Sequence, residues 1–443
     1  MNKLVDRITI FATLLFSILS ITELSAQVTI EQRGLLGTEV AEIIITGNEV
    51  TQEKIILREM KLKPGMTASE SVLTEDMLRV MGLDLFTRVE FRLRADQGKT
   101  VLEIEVTEEW YIFPMPFWDL SSDDPPELTY GFRYTQKNFR GRAERFKASL
   151  WGGAQRGFKF KHVTPWIEGT PNFSQSIEIY QVTDISQNLA VKELELEARH
   201  TGASYLIGKR WNLELSSVVG GRFRLITAGN PAQLASAGQL DRVLDFQISN
   251  FWDRRDLKQF PRRGTFLGSG LKHGWVLNLE KSFTRFEIDA RSYLPIAKTV
   301  SLCARSAWYP AWGEAPPYDW FLVKNTAPIR STDISDEGRS FVLGSIEARI
   351  DLLTLHYFTW EKAPILKSYF RNLAYGLALE FFFDVGDAYD GFDELAVESL
   401  MWGYGFGFLV RLPYIDVLRL ETSWNPEISP QNFSLSWKIG VSF

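Results

Sequence analysis

The chain has 443 residues, a net charge of -6 and a single cysteine, Cys303. The mildly acidic balance leaves no electrostatic footprint for nucleic acid, and one cysteine excludes an internal disulfide framework. Aromatic residues make up 13% of the sequence, with 14 Trp and 31 Phe, yet beyond the first 26 residues no apolar run is long enough for a transmembrane helix. A closed β-barrel is then the one route into a bilayer.

At the N-terminus, Lys3 and Arg7 precede an apolar run from Ile8 to Ile21, followed by Leu24-Ser25-Ala26. This reads as a secretory signal peptide over residues 1–26. A membrane anchor is the competing reading, but a span needs about 20 apolar residues. Residues 27–39 are expected to be a linker. From 40 to 109 the texture is that of a small α+β domain. "EIIITGN" is a strand ending in a turn. "VTQEKIILREM" is helical, with Thr51 as candidate N-cap. "SESVLTEDMLRVMGLDLF" is a second helix with Leu73, Met77 and Val80 on one side and Gly82 ending it. "VEFRLRAD" and "TVLEIEVTEE" are alternating strands, so the order is β-α-α-β-β.

From 110 to 443 apolar and polar residues alternate strand after strand. In "RFEIDARSYL", Phe286 and Ile288 oppose Arg285 and Glu287. In "YGFGFLVRL", Tyr404, Phe406 and Phe408 oppose Gly405, Gly407 and Arg411. Period two is the mark of a strand. It does not separate a soluble sandwich from a membrane barrel with its apolar face outward. The signal peptide, the aromatic load and the number of long strands favour the barrel. Strand centres fall near 114, 132, 147, 160, 177, 198, 214, 246, 268, 287, 304, 345, 377, 406, 419 and 438, an even number as bacterial barrels require. Pro114 and Pro116 cannot donate to a ladder, so the junction of first and last strands is expected to be weak. The final strand alternates to its end, with Phe433, Leu435, Trp437, Ile439, Val441 and Phe443 on one face.

These segments resemble a known family. "ITGNEVTQEKIILREMKLKPG", "MGLDLFTRVEF" and "LEIEVTEE" are similar to a POTRA domain, and the remainder resembles the barrels of BamA/TamA-type outer-membrane insertases. "NFWDRRDLKQFPRRGTFLGSG" is similar to a strand junction of those barrels, and "GYGFGFLVRLPYIDVLRLETSW" to their penultimate strands. The longest connection, about Tyr309 to Glu337, is similar to their sixth extracellular loop. Ile329-Arg330-Ser331 stands at its tip, with Ser331 where the family has Gly and Thr332 where it has an aromatic. "EFFFDVGDAYD" carries the family's F-x-D-x-G strand motif as Phe382, Asp384 and Gly386. The resemblance implies a latch in which Arg330 enters the lumen and meets Asp384, with Glu347 as a secondary partner. It also implies that the alternating stretch ending in Phe443 is a sorting signal.

His162, His200, His273 and His356 are scattered without metal-ligand spacing, and no nucleophile elbow or phosphate loop is present. The reading is a non-enzymatic protein with no cofactor and no metal. It sits in the outer membrane of a Gram-negative bacterium with a periplasmic POTRA domain. The resemblance implies that it binds unfolded outer-membrane or secreted clients and inserts or translocates them, with a periplasmic or lipoprotein accessory partner and outer-membrane lipid as further contacts. An exporter dedicated to one secreted protein and a passive channel stay open as alternatives.

Overall fold

In the computed structural model the described residues are 28–31, 33–120, 128–185, 191, 196–323, 329–330, 336–362, 370–395, 400–425 and 434–439. Residues 1–26, expected to be a signal peptide, lie outside them, as do Ser331, Thr332, Phe433, Val441 and Phe443.

The N-terminal domain is a four-stranded sheet with two helices. Its strands are β1 (Val28–Ile30), β2 (Val40–Thr46), β3 (Phe86–Asp96) and β4 (Lys99–Glu108), in the order β1-β3-β4-β2. The segment expected to be a bare linker, 27–39, therefore supplies a strand, β1, which runs parallel to β3 with Val28 opposite Phe91. Helix α1 (Glu53–Leu57) and helix α2 (Glu70–Met81) bury Ile55, Ile56, Leu73, Met77 and Val80 against Phe91, Leu93, Leu102 and Ile104 of the sheet. Ser69 caps α2 by accepting from the Val72 amide, and Gly82 ends it. The expectation for α1 was wrong in detail. The helix is one turn long, its N-cap position is Gln52, and Thr51 does not cap it. The Thr51 hydroxyl is engaged elsewhere, by Tyr111 and Asn138.

Sixteen long strands follow among the described residues. They are β5 (Ile112–Leu120), β6 (Leu128–Phe139), β7 (Glu144–Gly153), β8 (Arg156–Thr164), β9 (Phe173–Ile185), β10 (Glu197–Arg210), β11 (Leu215–Ala228), β12 (Leu240–Asp253), β13 (Gly264–Val276), β14 (Lys281–Pro295), β15 (Val300–Tyr309), β19 (Ser340–Phe358), β20 (Leu373–Tyr389), β21 (Met401–Leu412), β22 (Ile415–Trp424) and β23 (Ser434–Ile439). The short β16 (Ala311–Gly313) continues β15 past Pro310 and pairs with β14. Two further short strands, β17 (Phe321–Leu322) and β18 (Glu337–Gly338), pair with each other within the long connection. Each long strand is antiparallel to its chain neighbour, and β23 lies beside β5, closing the barrel. The expected centre at 214 falls instead in the β10–β11 turn. There the Asn212 side chain accepts from the amides of Glu214 and Leu215 and folds the chain back.

The burial pattern fixes which way the strands face. On β21, Tyr404, Phe406 and Phe408 are exposed while Gly403, Gly405, Gly407 and Leu409 are buried. On β13, Leu267 and Leu271 are exposed. Leu271 sits opposite Phe286 and Ser269 opposite Ile288, so Phe286 and Ile288, both half-buried, share the outer face. Arg285 and Arg411 face the other way. The Arg285 guanidinium lies 4.1 Å over the ring of Phe321, and that of Arg411 lies 3.6 Å over the ring of Phe260. Apolar side chains out and charged side chains in is the pattern of a membrane barrel.

The small domain is seated on one end of the barrel. Tyr111 donates to the Leu85 carbonyl and shares a hydrogen bond with Thr51, which also accepts from Asn138 of β6. Gly141, in the β6–β7 turn, approaches so closely that a Cβ there would lie 2.0 Å from the Val50 carbonyl oxygen. Trp166 packs on the domain's core, with the cations of Lys54 and Arg58 each 5.2 Å from its ring. Asn372, between β19 and β20, donates to Thr107. Arg210, at the end of β10, grips Glu59 at 2.6 and 2.8 Å. Burial pushes the Glu59 carboxyl up, but the Arg210 bonds and charge outweigh it and hold the group below its ordinary range.

Two measurements check this arrangement. Leu271→Arg puts a charge on the apolar outer face and should lower folding stability in lipid by about 2–4 kcal/mol, measured by urea titration in vesicles. Lys272→Ala, on the inner face, should change it by less than about 1 kcal/mol. Because the native Glu59 carboxyl titrates low, its docking contribution is complete above the ordinary carboxylate range near 4.3 and is lost as the pH falls through the depressed native value. Protection from hydrogen exchange over residues 53–60, taken relative to the intrinsic rate at each pH, should therefore fall on acidification below about pH 4.3. In Glu59→Gln that protection should already be low at neutral pH and should not change with acid.

Candidate functional site

The described parts of the connection between β15 and β19, residues 310–323, 329–330 and 336–339, include side chains that bond the barrel's inner wall. Ile329 is buried against Ala307, Phe321, Val323, Phe341, Leu343 and Ala388, and this apolar seat sets the depth of the next residue. Arg330 then points at the wall formed by β19 to β22. Its Nε donates to Asp384 Oδ2 at 2.6 Å, its Nη2 to Asp384 Oδ1 at 2.8 Å, and its backbone N to Asp384 Oδ2 at 3.3 Å. Nη1 lies 3.0 Å from Glu347 Oε1 and donates to Glu421 Oε1 at 2.9 Å. The planar guanidinium stacks 3.6 Å over the ring of Phe382. An arginine is suited to this role because its rigid fork meets one carboxylate with two bonds and keeps a donor for others.

Strand geometry places the partners. Phe382, Asp384 and Gly386 point inward at every second position of β20, while Phe381 and Phe383 are exposed outside. Opposite them on β21 stand Gly405 and Gly403. A Cβ on Gly405 would lie 2.7 Å from the Phe382 ring, so this glycine leaves the room the ring occupies. Ser345 of β19 donates to Asp384 Oδ1 at 2.5 Å. Arg349 bonds Glu347 at 3.0 and 2.5 Å, and Arg419 bonds Glu421 at 2.9 Å. The carboxylates are thus shared among three guanidiniums.

The sequence reading had Arg330, Asp384 and Glu347, and the structure brings the three together. It had not assigned Glu421, though Glu421 stands on the polar face of "VLRLETSW", nor Ser345. It also missed a second anchor on the opposite wall. Arg224 of β11, buried, bonds Asp319 of the same connection at 2.8 and 2.6 Å and Asp245 of β12 at 2.8 and 2.9 Å. Tyr318 donates to Asp241 at 3.0 Å, and Arg285 bonds the Asp319 carbonyl at 2.6 Å. The connection is therefore stitched across the lumen, at Asp319 on one side and at Arg330 on the other. A lone Asp in a loop carries no motif, and its partner on β11 is 95 residues away, so nothing in the sequence points to the pair. Of the C-terminal stretch, Leu435, Trp437 and Ile439 lie in β23.

A family model described as "Omp85 superfamily domain" matches residues 138–443, well over half of the chain. The chain belongs to the Omp85 superfamily. A second model, "Surface antigen variable number repeat" for the POTRA domain, matches residues 38–109 of this Omp85 protein. The chain is thus an outer-membrane β-barrel carrying a POTRA domain. It is similar to a "Putative outer membrane protein assembly factor" of Treponema pallidum (strain Nichols), 27% identical over 154 residues, which is 33% of this chain and 18% of the relative. The chain spans less than a fifth of that relative. Among solved structures, BamA from Haemophilus ducreyi lacking POTRA domains 1–3 superposes with a TM-score of 0.51 at 13% identity, over 95% of this chain and 85% of that one. CdiB from Escherichia coli gives 0.56 at 12% identity, over 92% and 76%. At such identities the likeness is one of fold.

We propose that the two anchors act as the latch of this Omp85 barrel. Removing one partner of a buried pair costs about 3–5 kcal/mol, because the other charge stays buried alone. Arg330→Ala and Asp384→Asn should each open residues 329–340 to protease added outside, and Arg330→Lys should restore protection only in part. Arg224→Ala should expose residues 314–322 and leave the Arg330 limb protected. Equal protection in all variants would show that the stitches do not hold the connection.

Proposed function

We propose that this Omp85 protein receives unfolded client proteins at its POTRA domain, in the periplasm, and passes them to or through the barrel. The observation that carries the reading is the seat of the domain. A cavity of about 1610 Å³ opens between α1, α2 and the inner ends of β7 to β13, so the route into the lumen begins against the POTRA domain. The domain also keeps an open sheet edge. Among the described residues β2 pairs only with β4, and its outer edge beyond Val40 has no strand beside it. An extended client segment can add there as a further strand.

The barrel's own seam supplies the second half. β5 carries Pro114 and Pro116, which lack the N–H a ladder needs, and it is the strand that β23 closes against. A seam of this kind can part and offer its edge to a client strand. The work comes from client folding, and no bound nucleotide or metal enters the mechanism. Export of one dedicated partner uses the same cavity and leaves the seam shut, so the state of the seam separates the two modes.

In a Cys303→Ser background, cysteines scanned between residues 112–120 and 434–439 should yield an oxidised pair that leaves the folded barrel intact. The locked protein, reconstituted in vesicles, should no longer speed the folding of a small barrel client, and reduction should restore it. Full activity in the locked state would overturn lateral opening and leave passage through the lumen.

A further inference from the structure

The lumen is divided. The walls from β11 to β22 hold the described parts of the stitched connection and its ion pairs, and the wall from β6 to β9 carries an excess of positive charge. Register sets the basic residues in three rows rising from the POTRA end. Arg145 is lowest, opposite Val163. Lys147 and Lys161 face each other in the next row, with Thr135 beside them. Arg133 and Lys159 flank Ser149 in the third. Rows two residues apart are separated by about 7 Å, so the charges form a stripe along the barrel axis. Phe146, Leu150, Phe158 and Phe160 alternate with them on the outer face.

Little offsets this charge. Glu178 is 3.0 Å from Lys159 and 3.3 Å from Lys161, and Asp84 of the POTRA domain is 3.4 Å from Arg145. Among the described residues Lys147 has no ion-pair or hydrogen-bond partner, and Arg133 has only the ring of Phe117, 5.1 Å away. The stripe is continuous with the cavity under the barrel, which Arg145, Lys147 and Lys161 also line. Eleven lysines and arginines line that cavity against six carboxylates, in a chain whose net charge is -6. Positive charge is thus concentrated along a path between the POTRA domain and the lumen.

We propose that this stripe binds the acidic, extended segments of a client polypeptide and draws them from the POTRA cavity into the lumen. Like-signed walls with a low-dielectric surround focus their field on the water between them. Rows about 7 Å apart match the spacing of alternate side chains on an extended peptide. A lipid headgroup carries the same charge, but the stripe lies on the inner face, where acyl chains would find no apolar surface. The inference deepens the proposed function and rests on it, since it names the client chemistry that the same route selects.

The test uses the full chain in nanodiscs and two fluorescent 12-residue peptides, one alternating Asp and Ser, the other Asn and Ser. The Asp peptide should bind at least tenfold more tightly, with an affinity that falls as salt rises. The combined Arg133→Gln, Lys147→Gln, Lys161→Gln protein should lose that preference. The Lys147→Glu, Lys161→Glu protein should prefer a Lys/Ser peptide instead, which a folding defect would not produce. Equal binding of the Asp and Asn peptides overturns the proposal, as does a triple variant that changes chloride permeation alone. A photo-crosslinker at Thr74, which lines the cavity, reports separately on the route. Capture of an unfolded client without charge preference sinks the acidic selection and leaves the proposed function standing. Absence of any capture sinks both.

Discussion

A polypeptide in hydrocarbon must satisfy every backbone N–H and C=O from within itself, and a closed ladder of strands is one of two ways to do so. Everything else in this Omp85 protein follows from that closure. Side chains alternate across the sheet, so lipid takes every second residue and the remainder are turned into a confined space. Charges that a soluble protein would leave in bulk water are here packed on one another. Arg330, Arg349 and Arg419 are buried among Glu347, Asp384 and Glu421. They hold together because Arg330 meets all three carboxylates, and Glu347 and Glu421 each meet a second guanidinium, that of Arg349 and that of Arg419.

What was readable in the sequence follows the same line. Period two reports which residues share a face, and membrane strands are long enough to repeat it many times, so the barrel was visible, while the inward set Phe382, Asp384 and Gly386 was implied by the resemblance to the F-x-D-x-G motif. The helix α2 announced itself through Gly82 and a spaced apolar side, and the Ser69 cap appeared only in the structure. The errors came where a side chain served a distant part of the chain. Thr51 looks like a helix cap, but its hydroxyl is claimed by Tyr111 and Asn138. The β10–β11 turn looked like strand because "LELSS" alternates, while Asn212 bends the chain just before it. Val28–Ile30 is too short to carry a pattern, and only the edge of β3 gives it a partner. Arg224 and Asp319 could not be paired from spacing, since a contact across a lumen has no sequence period.

The two halves of the lumen differ in charge. The stitched side is neutralised by ion pairs, and it carries the connection that crosses the barrel. The other side is open and basic and runs straight down to the POTRA domain, whose contacts lie at turns of several different strands. Because Thr51, Leu85 and Tyr111 join the domain to the start of β5, a load on the POTRA domain is delivered to the strand that closes the barrel. A client segment added at the free edge of β2, as proposed, would therefore be mechanically connected to the seam.

The position of the stitch along the chain bears on biogenesis. Arg330 precedes Asp384 by 54 residues and Glu421 by 91, so on a growing chain the guanidinium emerges before either carboxylate. Without β20 and β22 the guanidinium would keep only Glu347 of β19, so its complete site exists only once both strands stand in the barrel. A barrel cut short before β22 would lack one of the three carboxylates that hold the crossing segment.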